Sequence, residues 1–208
     1  MKTYHYFDEP LKLFGVPCLE QTGKVQRLPE SLMQKLHNLE LFGRRCPGAR
    51  LCFRTNSPKV QIKITLETLS VDIWMSILSC QSAFVLVGER SSAHFAGVVF
   101  PQNYDAKIFE GTIQKSDEME DITIFLPRNE GVADVEIGIC DDAIIEAPTP
   151  YVNEKPVVYY GSSITEGGCC SNMFNVYNAI LSNRLNLDYY NFGFSGNAKG
   201  EPEVADYI

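Results

Sequence analysis

The sequence lacks the features of a membrane-spanning, exported or nucleic-acid-binding protein. Its longest uncharged apolar runs, such as 83–87 and 157–160, fall far short of the ~20 residues that cross a bilayer. The first ten residues contain no apolar core of a signal peptide. Basic residues are few, with 18 Lys and Arg against 26 Asp and Glu, and the net charge of −8 argues against binding to a phosphate backbone. We therefore expect no membrane span and no nucleic-acid partner.

Metal-binding patterns are also scarce. The seven cysteines show no C-x-x-C spacing, and His5, His37 and His94 lie far from the adjacent pair Cys169 and Cys170. We expect no metal site and no cofactor. An odd number of cysteines without an export signal is typical of reduced thiols, which predicts a cytoplasmic protein. Cys169 and Cys170 are expected to be packed thiols beside a loop, with a reactive thiol as the alternative.

The composition is that of a folded protein, and its first part has a β pattern. Apolar residues make up 45% and charged residues 21% of 208 residues, which suits one large domain or one medium domain plus part of another. Residues 59–66 alternate between apolar and polar side chains, as a half-buried strand does. Short strands are predicted at 49–54, 59–66, 82–88, 97–100, 107–113, 122–126 and 135–139. Such spacing predicts an antiparallel β-sandwich over residues 1–150, interrupted by a short helix at 30–39.

The pattern changes class after the proline-rich linker at 147–150. The expected order is a strand at 156–160, a helix at 172–185, a strand at 188–192 and a helix that begins near Pro202. The first strand is apolar without alternation, which predicts a strand covered on both faces. Residues 151–208 therefore predict the β-α-β-α opening of a parallel α/β sheet.

Small polar turns follow both predicted strands. G-S-S-I-T occupies 161–165 and G-F-S-G-N occupies 193–197. Reactive groups collect at the carboxyl ends of strands in an open parallel sheet. If the two strands are neighbours, both turns face one crevice. A serine hydroxyl in the first turn is then accessible to a substrate, and a glycine in the second lets backbone N–H groups approach it.

The two turns resemble the first two motif blocks of the SGNH hydrolases, the GDSL-like lipase and acylhydrolase superfamily. The resemblance is strongest to a bacterial subgroup with a β-rich domain in front and a G-E-P-E-V stretch, as at 200–204. It implies a flavodoxin-like hydrolase domain, with Ser163 as the catalytic nucleophile and the N–H groups of Ser163 and Gly196 in the oxyanion hole. The implied activity is that of a serine carboxyl ester hydrolase, an esterase or acylhydrolase that deacylates a small-molecule or carbohydrate ester, for example by deacetylation.

The sequence departs from that family in two ways within the part that it resembles. Ser162 occupies the place where the superfamily motif has an aspartate, which the subgroup tolerates. The subgroup also carries a G-x-D-L-Y stretch upstream. Its nearest counterpart here, 97–101, lacks the acid and the tyrosine, so the role of that stretch is not expected in this chain.

A larger departure concerns the general base. The family's later blocks supply an asparagine and a D-x-x-H motif, but all three histidines precede Ser163. Lys2, Gln34 and Ser91 stand three residues before them, where the aspartate should be. We therefore expect this chain alone to be nearly inactive. We also expect its α/β part to be covered by the sandwich, by a second copy in a homo-oligomer, or by a missing C-terminal half.

The alternative hypothesis is a non-catalytic binding or structural module attached to a truncated or degenerate hydrolase. In that case the sandwich would recognise a glycan or a partner hydrolase half. Trp74 and the tyrosines of the first domain could line a sugar platform, although packing in the core or at a sheet edge is the other interpretation.

Overall fold

A computed structural model describes residues 1–70 and 75–208 of the chain, so Trp74 and its expected role lie outside the described residues. The strands are β1 (Lys2–His5), β2 (Lys12–Phe14), β3 (Arg50–Thr55), β4 (Lys59–Leu66), β5 (Ala83–Val87), β6 (His94–Val99), β7 (Ile108–Gln114), β8 (Glu120–Phe125), β9 (Val132–Ile139), β10 (Ile145–Glu146), β11 (Asn153–Gly161) and β12 (Leu187–Gly193). The α-helices are α1 (Leu19–Thr22), α2 (Glu30–Lys35), α3 (Glu40–Arg44), α4 (Ile77–Cys80), α5 (Ser163–Glu166), α6 (Tyr177–Leu185) and α7 (Pro202–Tyr207). Three 3₁₀ turns lie at His37–Leu39, Arg90–Ser92 and Met173–Asn175.

The first ten strands form two antiparallel sheets, which confirms the predicted sandwich, although β1, β2 and β10 were not among the predicted strands. One has the order β1-β9-β4-β7, and the other has the order β10-β3-β8-β5-β6 with β2 also paired to β3. The alternation in β4 sends Val60, Ile62 and Ile64 into the space between the sheets, where all three are fully buried. Their partners in that core include Phe53 of β3 and Ile124 of β8. The fold class of the N-terminal part is therefore a β-sandwich.

Residues 19–44, which we call the helical layer, interrupt the sandwich between β2 and β3. The helix expected at 30–39 is split, because Leu36 has a non-helical backbone (φ −117°, ψ 72°) after α2. The 3₁₀ turn and α3 follow it. The buried apolar side chains of this layer, Leu28, Leu32, Met33 and Leu39, form one cluster with residues of β12 and α7. Residues near the N-terminus therefore complete the core of the C-terminal part.

The C-terminal part begins as a parallel α/β sheet. β11 and β12 pair in parallel, and α5 and α6 lie in the connection between them. The helix expected at 172–185 begins late, since Asn172 instead caps the 3₁₀ turn by accepting a hydrogen bond from Asn175 N (3.0 Å). Val176 is extended (ψ 143°), so α6 starts at Tyr177. The second helix does start at Pro202.

The parallel pair packs between two clusters, although not on every face. Tyr189 of β12 and Val157 of β11 contact the cluster that includes Phe125 of the sandwich. On the opposite face the helical layer covers β12, whereas Val158 and Tyr160 of β11 are 38% and 40% exposed. The prediction of a first strand covered on both faces is therefore wrong, because the helical layer reaches only β12. Of the described strands, β12 is the only one paired with β11.

Candidate active site

The two predicted turns leave the sheet at the same edge. Gly161 and Gly193 are direct partners at the end of the parallel pair. Phe194 N donates a hydrogen bond to Gly161 O (2.8 Å), which joins the start of one turn to the start of the other. The structure thus brings together the two motif segments on which the sequence prediction depends.

Glycine at these two strand ends permits a very close approach of α5. A Cβ on Gly193 would lie 2.0 Å from the backbone nitrogen of Glu166, and one on Gly161 would lie 2.2 Å from Thr165 Oγ1. No ordinary side chain fits either space. The first turn of α5 therefore lies directly against the end of β12, which fixes its position relative to the second turn.

Ser163 is the first residue of α5, and its side chain is exposed at the rim. Its carbonyl accepts hydrogen bonds from Gly167 N (3.0 Å) and Gly168 N (2.7 Å). These local backbone hydrogen bonds stabilise the conformation of the turn. Among the residues that the structure describes, no group hydrogen-bonds the Ser163 hydroxyl or accepts from its N–H. The hydroxyl is therefore free to meet a substrate.

The second turn lies across from Ser163, with Gly168 between them. A Cβ on Gly168 would lie 3.3 Å from Ser163 Cβ and 3.6 Å from Ser195 Oγ. Gly196 follows in the left-handed conformation (φ 67°) with open space around it. No group in the described part of the chain accepts a hydrogen bond from its N–H. Both amides that the resemblance assigns to the oxyanion hole are thus unpaired within residues 1–70 and 75–208, and their joint role stays a prediction.

A buried carboxylate that sequence reasoning missed joins the two turns. Glu166 is 4% exposed, and one of its oxygens accepts hydrogen bonds from Ser195 N (2.9 Å) and from the Ser195 hydroxyl. Its other oxygen lies 3.7 Å from Nη2 of Arg27, which is fully buried. Burial lowers the pKa of Arg27, and the charge of Glu166 opposes that effect. An acid directly after the turn at 161–165 was the available signal for Glu166, whereas no local pattern marks Arg27.

The cysteines beside this turn differ from the expectation that both are packed. Cys170 is half-buried, its thiol donates to Asn172 O (3.1 Å), and burial raises its pKa. Cys169 is exposed and holds a left-handed backbone (φ 62°). The packed interpretation therefore fits Cys170 alone.

None of the three histidines hydrogen-bonds Ser163. His5 in β1 pairs with Asp134 (Nδ1–Oδ2, 2.8 Å), and His94 begins β6. His37 lies in the helical layer, next to Asn38, whose amide nitrogen is 3.5 Å from Asn197 Oδ1 of the second turn. The described residues offer no ordered Ser–His pair.

A β-sandwich followed by the parallel β-α-β-α opening of an α/β sheet defines the fold class of the chain. A family model described as the N-terminus of the SGNH-hydrolase type of esterase matches residues 4–145. A second model, the GDSL-like lipase/acylhydrolase family, matches residues 154–208. The chain belongs to this SGNH, GDSL-like lipase/acylhydrolase family. The first model matches although the sequence contains no G-x-D-L-Y string.

Solved structures share this architecture. A protein described as a GDSL-like lipase from Bacteroides ovatus has a TM-score of 0.86 and 24% identity, over 99% of this chain and 60% of that one. The salicylyl-acyltransferase SsfX3 from a tetracycline biosynthetic pathway has a TM-score of 0.72 and 19% identity, over 99% of this chain and 59% of that one. At such identities the likeness shows the fold alone, and the chain spans about 60% of these relatives' length.

No curated protein sequence matches the chain. Within residues 1–70 and 75–208, no helix is both long enough and apolar enough to cross a membrane.

Proposed function

We propose that this chain supplies the nucleophile and two oxyanion-hole donors of a carboxyl ester hydrolase. The observation that supports the proposal is the position of Ser163, which is exposed just after a parallel strand. It lies opposite the turn that contains Gly196, whose N–H has no hydrogen-bond partner among the described residues. Membership of an esterase and acylhydrolase family supports the same reaction class.

The chemistry would proceed through an acyl-enzyme. The Ser163 hydroxyl attacks the ester carbonyl, and negative charge develops on the carbonyl oxygen. The N–H groups of Ser163 and Gly196 stabilise that charge, because they are oriented before the reaction begins. The alcohol then leaves with a proton, and water hydrolyses the acyl group from Ser163.

A general base is the part of this mechanism that the described residues do not supply. A serine hydroxyl is a weak nucleophile when nothing takes its proton. In subtilisin, an unrelated serine hydrolase, loss of the histidine base lowers turnover by roughly 10⁶-fold. We therefore propose that the 208-residue chain turns over poorly and that a histidine from elsewhere completes the site.

The substrate we propose is a small-molecule or carbohydrate ester, with deacetylation as the leading reaction. We place the protein in the cytoplasm, which is supported by its seven free cysteines.

A non-catalytic module attached to a degenerate hydrolase is the second candidate. The lack of an ordered base beside Ser163 in the described residues favours it. The two candidates differ in one measurable property, since only a nucleophile at Ser163 makes that residue selectively reactive toward acylating reagents.

The test is selective acylation of the 208-residue chain by an activated acetyl ester in the presence of imidazole, which supplies the missing base, with the adduct located by mass spectrometry. We expect one adduct on Ser163, none in Ser163→Ala, and normal labelling in Ser162→Ala, whose side chain makes no cap hydrogen bond. Labelling spread over many serines would contradict the proposal. Rapid turnover that Ser163→Ala abolishes would contradict the low activity proposed for the chain alone.

A further inference from the structure

The second turn is held by its own hydrogen bonds, from Asn197 N to Phe194 O (2.9 Å) and from Asn197 Nδ2 to Ser195 O (2.9 Å), and by its contact with Glu166. Gly196 is exposed and left-handed, and a Cβ added there would meet no described atom within 4 Å, so its surroundings are open. One residue earlier, Ser195 gives both its N–H and its hydroxyl to a single oxygen of Glu166. Among the described residues, Glu166 is therefore the side chain outside the turn that holds Ser195, the residue directly before Gly196.

Glu166 is in turn held by a buried cation from the N-terminal part. The Arg27 side chain donates to the carbonyl oxygens of Phe42, Arg45, Asn191 and Gly193. These bonds tie the guanidinium to the end of β12 and to the helical layer at once. The guanidinium also lies over the Phe194 ring, 4.8 Å from its centroid, and its approach to Glu166 at 3.7 Å is a charge interaction between two almost fully buried groups.

The charge balance of this arrangement matters for an oxyanion. A carboxylate without a counter-ion near the second turn would oppose negative charge developing on the substrate carbonyl. The guanidinium of Arg27 compensates that charge, so Glu166 can accept from Ser195 without acting as an uncompensated anion. The length of the Glu166 side chain determines its hydrogen bonds to Ser195, and its charge determines its interaction with Arg27. Substitutions can change one of these properties without the other.

We propose that Glu166 is a positioning residue, which orients the Ser195–Gly196 turn through its hydrogen bonds to Ser195, and that Arg27 compensates its charge. This inference rests on the proposed function, because the turn matters to catalysis only if the Gly196 N–H binds the oxyanion.

Two substitutions at Glu166 separate the effect of side-chain length from the effect of charge. Glu166→Gln keeps the length and an acceptor oxygen but loses the charge. Glu166→Asp keeps the charge beside Arg27 but is one methylene shorter, which withdraws the acceptor from Ser195 N. Glu201→Ala is a matched control, because Glu201 lies beyond the turn and accepts instead from Lys199 N (3.3 Å).

The measurement is hydrogen exchange at the Ser195 amide of the 208-residue chain, followed by NMR. We expect exchange about ten-fold or more faster in Glu166→Asp, as for a lost bond to a charged acceptor, and within about three-fold of the unmodified chain in Glu166→Gln and Glu201→Ala. The reverse order, with Gln fast and Asp protected, would overturn the proposal by showing that only the ion pair matters. Equal exchange in the two Glu166 variants would overturn it as well.

Acylation of Ser163 gives an independent second measurement. In the same assay with imidazole, we expect Glu166→Asp to acylate at least about ten-fold more slowly than Glu166→Gln, so the variant with the faster amide exchange is the slower one to acylate. Equal acylation with unequal exchange would overturn the claim that Glu166 positions the turn for the reaction at Ser163. Because amide exchange needs no reaction at Ser163, failure of the proposed function leaves the exchange result readable.

Discussion

At the residue scale, the adjacent thiols next to Ser163 have opposite surroundings. Cys170 donates to a backbone carbonyl, and burial raises its pKa, so less of it is thiolate at a given pH. Cys169 is exposed. The thiolate is the form that reacts with alkylating reagents, so the two residues should differ in rate even though they are neighbours in sequence.

Alkylation with iodoacetamide near pH 8 tests this difference. We expect Cys169→Ser to lose the fastest labelling step and Cys170→Ser to keep it, as read by intact mass against time. Labelling of Cys170 should accelerate as the pH rises further, because its raised pKa delays ionisation. A fast step that survives in Cys169→Ser and disappears in Cys170→Ser would contradict the structure.

Residue-level prediction from sequence reached the exposed turn residues and missed the buried pair behind them. Ser163 and Gly196 lie in short local motifs, which a resemblance can identify, although their catalytic roles stay predictions. Arg27 and its partner Gly193 are 166 positions apart, and no local pattern links them. The contact exists because the helical layer folds back onto β12, which only the tertiary structure shows.

At the scale of elements, the central strands of the sandwich were predicted near their observed positions, whereas the short strands β1, β2 and β10 and the start of α6 were missed. The period of two in β4 depends on one buried face, and its predicted bounds are the observed ones. The start of α6 depends on a competition between capping by Asn172 and helix extension, which apolar spacing does not report. The split at Leu36 is a non-helical backbone turn without a side-chain cap hydrogen bond.

The contact between α5 and β12 predicts a sharp difference between two glycines. Gly193→Ala places a Cβ 2.0 Å from the Glu166 nitrogen, so we expect it to destabilise the fold by about 3 kcal/mol or more, at the upper end of overpacking. Gly200→Ala is the control, since Gly200 has open space and only a left-handed backbone (φ 73°), which costs about 1–2 kcal/mol. Urea unfolding measures both, and equal losses would contradict the close contact.

At the scale of the whole molecule, the two segments that the family models match share their cores and several polar contacts. Arg50 of β3 pairs with Asp188, and Arg90 Nε donates to Asn186 Oδ1 (2.9 Å). Arg128 donates to Gly167 O in the loop that follows α5. The division near residue 150 stays a prediction about sequence organisation, and the packing on both sides of it is continuous.

A fragment of residues 1–150 should therefore be unlike an independent binding module. It would leave Leu28, Leu32 and Met33 without Phe192 and Phe194, which cover them in the chain. We expect the fragment to bind a hydrophobic dye such as ANS strongly, while the 208-residue chain binds little and unfolds in a single transition. Weak dye binding and a cooperative transition in the fragment would instead support a separable sandwich.

The early position of the helical layer has a consequence for biosynthesis. Arg27 leaves the ribosome 166 residues ahead of its partner Gly193, which at ordinary elongation rates of about 5–20 residues per second is a delay of roughly ten to thirty seconds. Throughout that interval the nascent chain carries an amphipathic segment whose permanent neighbours have not been translated. Chaperone occupancy during synthesis should accordingly persist until β12 has emerged.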